Sequence, residues 1–179
     1  MPTYVSFLRA VNVGKRKVVM ADLRAWLTEA GYGDVETHIQ TGNVRLTTSL
    51  RSATKVAAAL EALMEERCGF DVPNVVLTPA ELSAVYADAQ RQPALLKGEG
   101  LRRYVTFLKE EPPAAAAKAL DAWEVDGERV RVVGKAAHWW LLKPSVDAKL
   151  SNASLEKTLG VGTTRNLGVV ATLAGKWGG

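Results

Sequence analysis

Tyr4-Val5-Ser6-Phe7-Leu8-Arg9 returns about a hundred residues later as Tyr104-Val105-Thr106-Phe107-Leu108-Lys109. An echo at long period marks an internal repeat, and here it decides the fold. Each copy carries apolar groups on both faces, Val5 and Phe7 on one side and Tyr4 and Leu8 on the other. That pattern describes a strand buried on both sides and ending in a cation. The first copy runs into Ala10-Val11-Asn12-Val13-Gly14-Lys15-Arg16-Lys17, a loop of small residues loaded with positive charge.

Working outward from the first copy, Leu23, Trp26, Leu27 and Ala30 fall at helical spacing before a stop at Gly31. Val35 to Ile39 reads as a second strand, a tight turn follows at Thr41-Gly42 or Gly42-Asn43, and Asn43 to Thr47 returns. Ser52 caps a helix whose inner face is Val56, Leu60, Leu63 and Met64, with Cys68 in line as a small buried hydrophobe. Gly69 ends it, and Asn74 to Leu77 is a fourth strand. Thr78-Pro79-Ala80-Glu81 is a helix start, with Leu82, Val85, Tyr86 and Ala89 as its face. Gln90 to Gly100 reads as a connector.

The second copy begins at Arg103. Pro112-Pro113 opens an alanine-rich helix ending near Trp123, and Arg129 to Val133 and Ala136 to Leu142 form a hairpin about Gly134-Lys135. Lys149 to Leu159 is helical with a break around Ser151-Asn152. Val161 to Arg165 makes a short strand, and Leu167, Val170, Ala171 and Ala174 a closing helix. The fold class is therefore α+β, with two ferredoxin-like βαββαβ subdomains and mostly antiparallel sheet. The expected bounds are 1–78 and 101–179, with a linking helix and connector over 79–100.

Composition narrows the class. Of 179 residues, 47% are hydrophobic and 23% charged with mixed sign, which supports a folded core. No run approaches a membrane span, no basic-then-apolar leader opens the chain, and the lone Cys68 makes no internal disulfide. A soluble cytoplasmic protein without a membrane partner is the expectation. The net charge of +4 favours anionic partners.

In a sheet of order 4-1-3-2, the end of the first strand and the following hairpin share one edge. Arg9, Asn12, Gly14 and Lys15 are thus expected beside Gln40 and Asn43. The start of the last strand, with Arg165 and Asn166, should take the equivalent edge near Lys109. Free amides in a glycine-containing loop, helped by Arg or Lys and a helix start, suit phosphate or carboxylate. No cofactor or metal is expected. Walker, dinucleotide and nucleophile-elbow motifs are absent, and the two histidines and one cysteine lie far apart. His38 and His138 read as structural. Glu110-Glu111 precedes Pro112-Pro113 and reads as part of a helix start. Trp139 and Trp140 read as buried, because Leu141 and Leu142 continue apolar on both faces. The sheets are then covered by the other half, an added helix or a second subunit, so a homo-oligomer stays open.

The segments Tyr4 to Gly14, Ile39-Gln40-Thr41-Gly42-Asn43-Val44 and Thr163-Thr164-Arg165-Asn166, in this order, resemble a family of uncharacterised bacterial proteins, the domain of unknown function numbered 1697. The resemblance spans essentially the whole chain and implies two ferredoxin-like subdomains. It implies no activity. The chain departs from the family pattern at Ala10 and Lys15, where glycine is usual, at Thr41, where serine is favoured, and at Leu167 and Gly168, which replace an aromatic and an asparagine.

Three functions compete. The first is a noncatalytic module for an anionic, phosphate-bearing small molecule or nucleic acid. The second is an enzyme acting on a phosphorylated or acyl-phosphate substrate. The third is a structural or assembly role, in which Arg9, Gln40 and Arg165 are buried and bonded within the protein.

Overall fold

The computed structural model describes residues 1–179. The chain divides into two compact units: Met1–Ser83 with Leu173–Gly179, and Ala84–Thr172.

The first unit holds a four-stranded antiparallel sheet in the order β2-β3-β1-β4, from β1 (Thr3–Leu8), β2 (Gly33–His38), β3 (Asn43–Thr47) and β4 (Asn74–Leu77). Two helices, α1 (Met20–Glu29) and α2 (Ala53–Cys68), supply the crossovers. Tyr4, Leu8, Val44 and Leu46 form a core with Leu23 and Leu27 of α1 and Val56, Leu60 and Met64 of α2. Cys68 packs against that core half-buried. Ser52 caps α2 by accepting from the Lys55 amide at 3.4 Å, and Gly69, at φ +74°, closes it.

The second unit repeats the plan. Its sheet runs β6-β7-β5-β8, from β5 (Arg102–Leu108), β6 (Glu128–Val133), β7 (Ala136–Leu141) and β8 (Gly162–Asn166). Its crossover helices are α4 (Ala114–Asp121) and α5 (Asn152–Leu159). Leu108, Val130, Ala137, Trp139 and Leu141 pack with Leu155 and Leu159. Both Trp139 and Trp140 are buried. Each half is thus a βαββαβ arrangement, a pair of ferredoxin-like subdomains.

Both sheets bury their second faces too: Val5 and Phe7 in one, Val105 and Phe107 in the other. Two further helices follow the sheets, α3 (Pro79–Arg91) and α6 (Leu167–Trp177). At the start of α3, Glu81 donates its amide to Thr78 Oγ1 at 3.2 Å, and the Thr78 amide donates to Glu81 Oε2 at 2.7 Å. The helix runs one residue past Gln90, so the connector begins later than its composition suggests. The expected break at Ser151-Asn152 is a helix start. Ser151 caps Ser154 at 3.1 Å and the Ser154 hydroxyl returns the bond at 2.8 Å, leaving a short 3-10 turn (Ser145–Asp147) ahead of it. No helix is long and apolar enough to cross a membrane.

Candidate functional site

At the end of β1 the ladder continues one step into the β2–β3 bend, because the Leu8 amide donates to Gly42 O at 2.8 Å. Gly42 has φ +79°, and a Cβ there would lie 2.7 Å from Val11 Cγ2 and 2.8 Å from Leu8 Cβ. Only glycine lets the bend close against the strand end. The first loop and the hairpin therefore meet at one edge.

The loop backbone is unusual. Ala10, Asn12 and Gly14 have φ of +55°, +57° and +59°, and Ile39 in the hairpin has +51°. Left-handed conformation is costly for residues with a Cβ and most so for a β-branched one. What holds it is the Asn12 side chain. Its Oδ1 accepts from the Val18 amide at 2.9 Å, and its Nδ2 donates to Val18 O at 2.9 Å and Gln40 O at 2.6 Å. Loop, helix approach and hairpin are clasped by one amide. Within the loop, the Asn12 amide donates to Arg16 O at 2.7 Å and Arg16 N to Val13 O at 3.1 Å.

The charged groups divide into held and exposed. Arg16 lies over the Phe70 ring at 4.8 Å and donates to the carbonyl and carboxylate of Asp71. Arg9 is half-buried, with its amide bonded to Pro73 O at 2.9 Å. Gly14, Lys15, Lys17 and Gln40 are exposed. Asn43 is fully buried and its Nδ2 donates to His38 O at 2.9 Å and Thr41 Oγ1 at 3.0 Å, which shapes the hairpin from within. Val19 precedes α1 without a side-chain cap, and Asp22 in the first turn sets a carboxylate against the positive end of the helix dipole.

The second-unit residues stand elsewhere. Gly162 pairs with Leu108, and the Lys109 amide donates to Val161 O at 2.8 Å, so β8 does begin at the strand end. Arg165, however, pairs opposite Val105, and Asn166 opposite Tyr104. At the strand rise, Arg165 is carried about 10 Å from the rim it was expected to occupy. It is buried, with Nη1 donating to Thr163 Oγ1 at 2.8 Å and Thr164 O at 2.9 Å. Burial pushes its guanidinium down to about 10, which leaves it charged at neutral pH. Asn166 accepts from the Gly168 amide at 2.8 Å at the start of α6.

The family described as "Protein of unknown function (DUF1697)" matches residues 1–138. The chain belongs to that family. Among solved structures it is similar to the conserved bacterial protein SP0830 from Streptococcus pneumoniae, at 26% identity and a TM-score of 0.70, covering 99% of this chain and 98% of that one. No curated protein matches.

In this DUF1697 chain, Ala10 stands where the resemblance led glycine to be expected, and the left-handed φ gives the reason for that preference. Sequence reasoning missed the Asn12–Val18 contact, since Val18 carries no chemical signal. It also missed the setting of His138 on β7. That imidazole is fully buried, with no hydrogen-bond partner on either ring nitrogen. Burial pushes it down to about 4, with Asp88 opposing and Arg103 adding to the effect. No group of three or more His, Cys, Asp or Glu could hold a metal ion.

Proposed function

We propose that the chain is a noncatalytic binding module, working in the cytoplasm, that takes an anionic partner at the rim of its first unit: a phosphate-bearing ligand or nucleic acid. The observation that carries this reading is the Asn12 clasp, with bonds of 2.6 to 2.9 Å to Gln40 and Val18. It holds the loop in a costly backbone shape while Lys15 and Lys17 stay exposed. A fixed frame presenting cations loses little freedom on binding.

Gly14, Gln40 and the half-buried Arg9 border the same loop and complete the proposed lining. Asn43 supports it from beneath, and Arg165 and Asn166 serve their own unit. An enzymatic role has less support, because the Asn43 amide faces the hairpin interior rather than an incoming substrate.

Fluorescence anisotropy with a labelled single-stranded oligonucleotide, and calorimetry with tripolyphosphate, test the reading. The K15Q/K17Q variant should weaken binding by about tenfold and flatten its salt dependence, as expected for lost phosphate contacts. No binding of either probe at low salt would remove it.

A further inference from the structure

We infer that Trp177, at the end of α6, is a positioning residue for the rim: it braces the strand that carries the β2–β3 hairpin, a reading that rests on the anion-binding role proposed above. The hairpin needs such a brace. β2 is an edge strand bonded to β3 alone, and its register breaks between Gly33 and Glu36, where Asp34 has φ +47°. Only Glu36, Thr37 and His38 pair without interruption before the bend. A bulged edge strand is among the least secured parts of a sheet. Just beyond it Ile39 turns at φ +51°, a shape that a β-branched residue keeps only when its surroundings hold it there.

Trp177 supplies the hold. Glu36 and His38 lie two apart in a strand, so their side chains share a face. The indole meets both. Its N–H donates to Glu36 Oε2 at 3.1 Å, and the His38 ring stands edge-on to it at 6.4 Å and 86°. The other Glu36 oxygen accepts from Arg45 Nη1 on β3 at 3.1 Å, so one carboxylate joins two strands to the helix end. His38 O in turn accepts from the Asn43 amide group at 2.9 Å, and Gln40 O, two residues on, accepts from Asn12 at 2.6 Å. The loop that presents Lys15 and Lys17 is thus clasped to a hairpin whose strand is pinned by α6.

The pin itself is firmly seated. Trp177 is buried, and Leu173–Gly179 belongs to the first unit. The Gly178 amide donates to Ala174 O at 2.9 Å, and a Cβ at Gly178 would collide with Ala174 O and Ser83 Oγ. Glycine lets the segment lie flush on the first turns of α3, which fixes where the indole sits. A hairpin ordered before its ligand arrives spends less affinity on becoming ordered.

Amide exchange on the full chain, with tripolyphosphate calorimetry and oligonucleotide anisotropy at several salt concentrations, decides this. Trp177→Ala should lower exchange protection over residues 36–43 and weaken the probes that the wild-type chain binds by about fivefold. The salt slope should stay as it was, because the phosphate contacts remain, whereas K15Q/K17Q flattens it. Trp177→Phe keeps a ring against His38 and loses the bond to Glu36, so it should fall between, and it serves alone if Trp177→Ala fails to fold. Leu60→Ala, packed with Val44 and Leu46 on the other face of the sheet, should lower Tm without changing affinity in the folded range. Wild-type affinity in both Trp177 variants, a flattened salt slope, or an equal loss in Leu60→Ala overturns the inference and leaves the binding reading standing. If neither probe binds the wild-type chain, both fall.

Discussion

The two units share a frame and differ in what they bury. In each, a glutamate on the second helix accepts the first amide of the last strand: Glu61 from Asn74 at 2.9 Å, Glu156 from Gly162 at 3.0 Å. In each, the third residue of the repeated stretch makes a polar contact with that strand: Ser6 to Asn74 at 2.8 Å, Thr106 with Thr164 at 2.8 Å. The buried polar groups of the first unit, Ser6, Asn43, Thr47, Thr48 and Asn74, are all neutral. Those of the second include Glu128, His138 and Arg165. The first unit instead concentrates strained backbone in the segment Arg9–Val19 and its hairpin, where the second passes from β5 to α4 through Lys109–Pro113. A duplicated sheet keeps its register because a slip turns every side chain over, whereas loops are free to diverge. Charge inside one unit and strain at the edge of the other should make them respond to different perturbations.

The largest expected effect is in the second unit. Glu128 is fully buried, accepts from the Lys149 amide at 3.0 Å and the Leu150 amide at 2.8 Å, and pairs with Lys143 at 3.1 Å. Burial pushes its carboxyl up, but those amides and Lys143 outweigh it and hold it below the usual range. Glu128→Ala should destabilise by about 3 kcal/mol in urea melts, because it strands two amides and an ammonium. If exchange protection falls in the first unit instead, the contrast is broken.

Acid should act on the same unit. The unfolded chain takes up a proton at His138 near pH 6.5, whereas the folded chain refuses it until about 4. Stability therefore falls as pH drops through that window, by about 3 kcal/mol at its lower end. Glu128 adds a further loss below its ordinary carboxyl range. His138→Leu should flatten the upper limb of the profile, and exchange in the first unit should stay nearly level throughout.

Asn12→Ala sharpens the other side of the comparison. It removes three hydrogen bonds and should cost about 2 kcal/mol, read as lost exchange protection over residues 9–19 and 38–43. Smallest is Ala10→Gly, which relieves a left-handed alanine and should stabilise the first unit by about 0.5 kcal/mol in thermal melts.

Much of this fold could be read in advance, because both strand copies are apolar on two faces and Gly31, Gly69 and Gly160 punctuate the helices. β3 and β4 have the bounds that their alternation suggested. Ser151 misled because its capping partner is a serine rather than the glutamate that advertises such a box. Arg165 misled because the rim was assigned from where β8 begins, while antiparallel pairing carries its third and fourth steps inward. For the candidate site, the meeting of loop and hairpin followed from crossover handedness. Which cations stay exposed did not, since Phe70 and Asp71 claim Arg16 through tertiary contacts that no local pattern encodes. The missing partners of His138 were equally invisible, because a sequence displays donors and acceptors but never their absence from a neighbourhood.

Trp177 donates its indole N–H to Glu36 at 3.1 Å and meets the His38 ring, and it belongs to the first unit with the rest of Leu173–Gly179. During synthesis, then, the half translated first is finished last. Residues 84–172 can complete their own unit while the earlier one still lacks its closing helical turn. A ribosome stalled before Leu173 would leave β2 without that cover, and early chaperone demand should concentrate on the N-terminal half of the nascent chain.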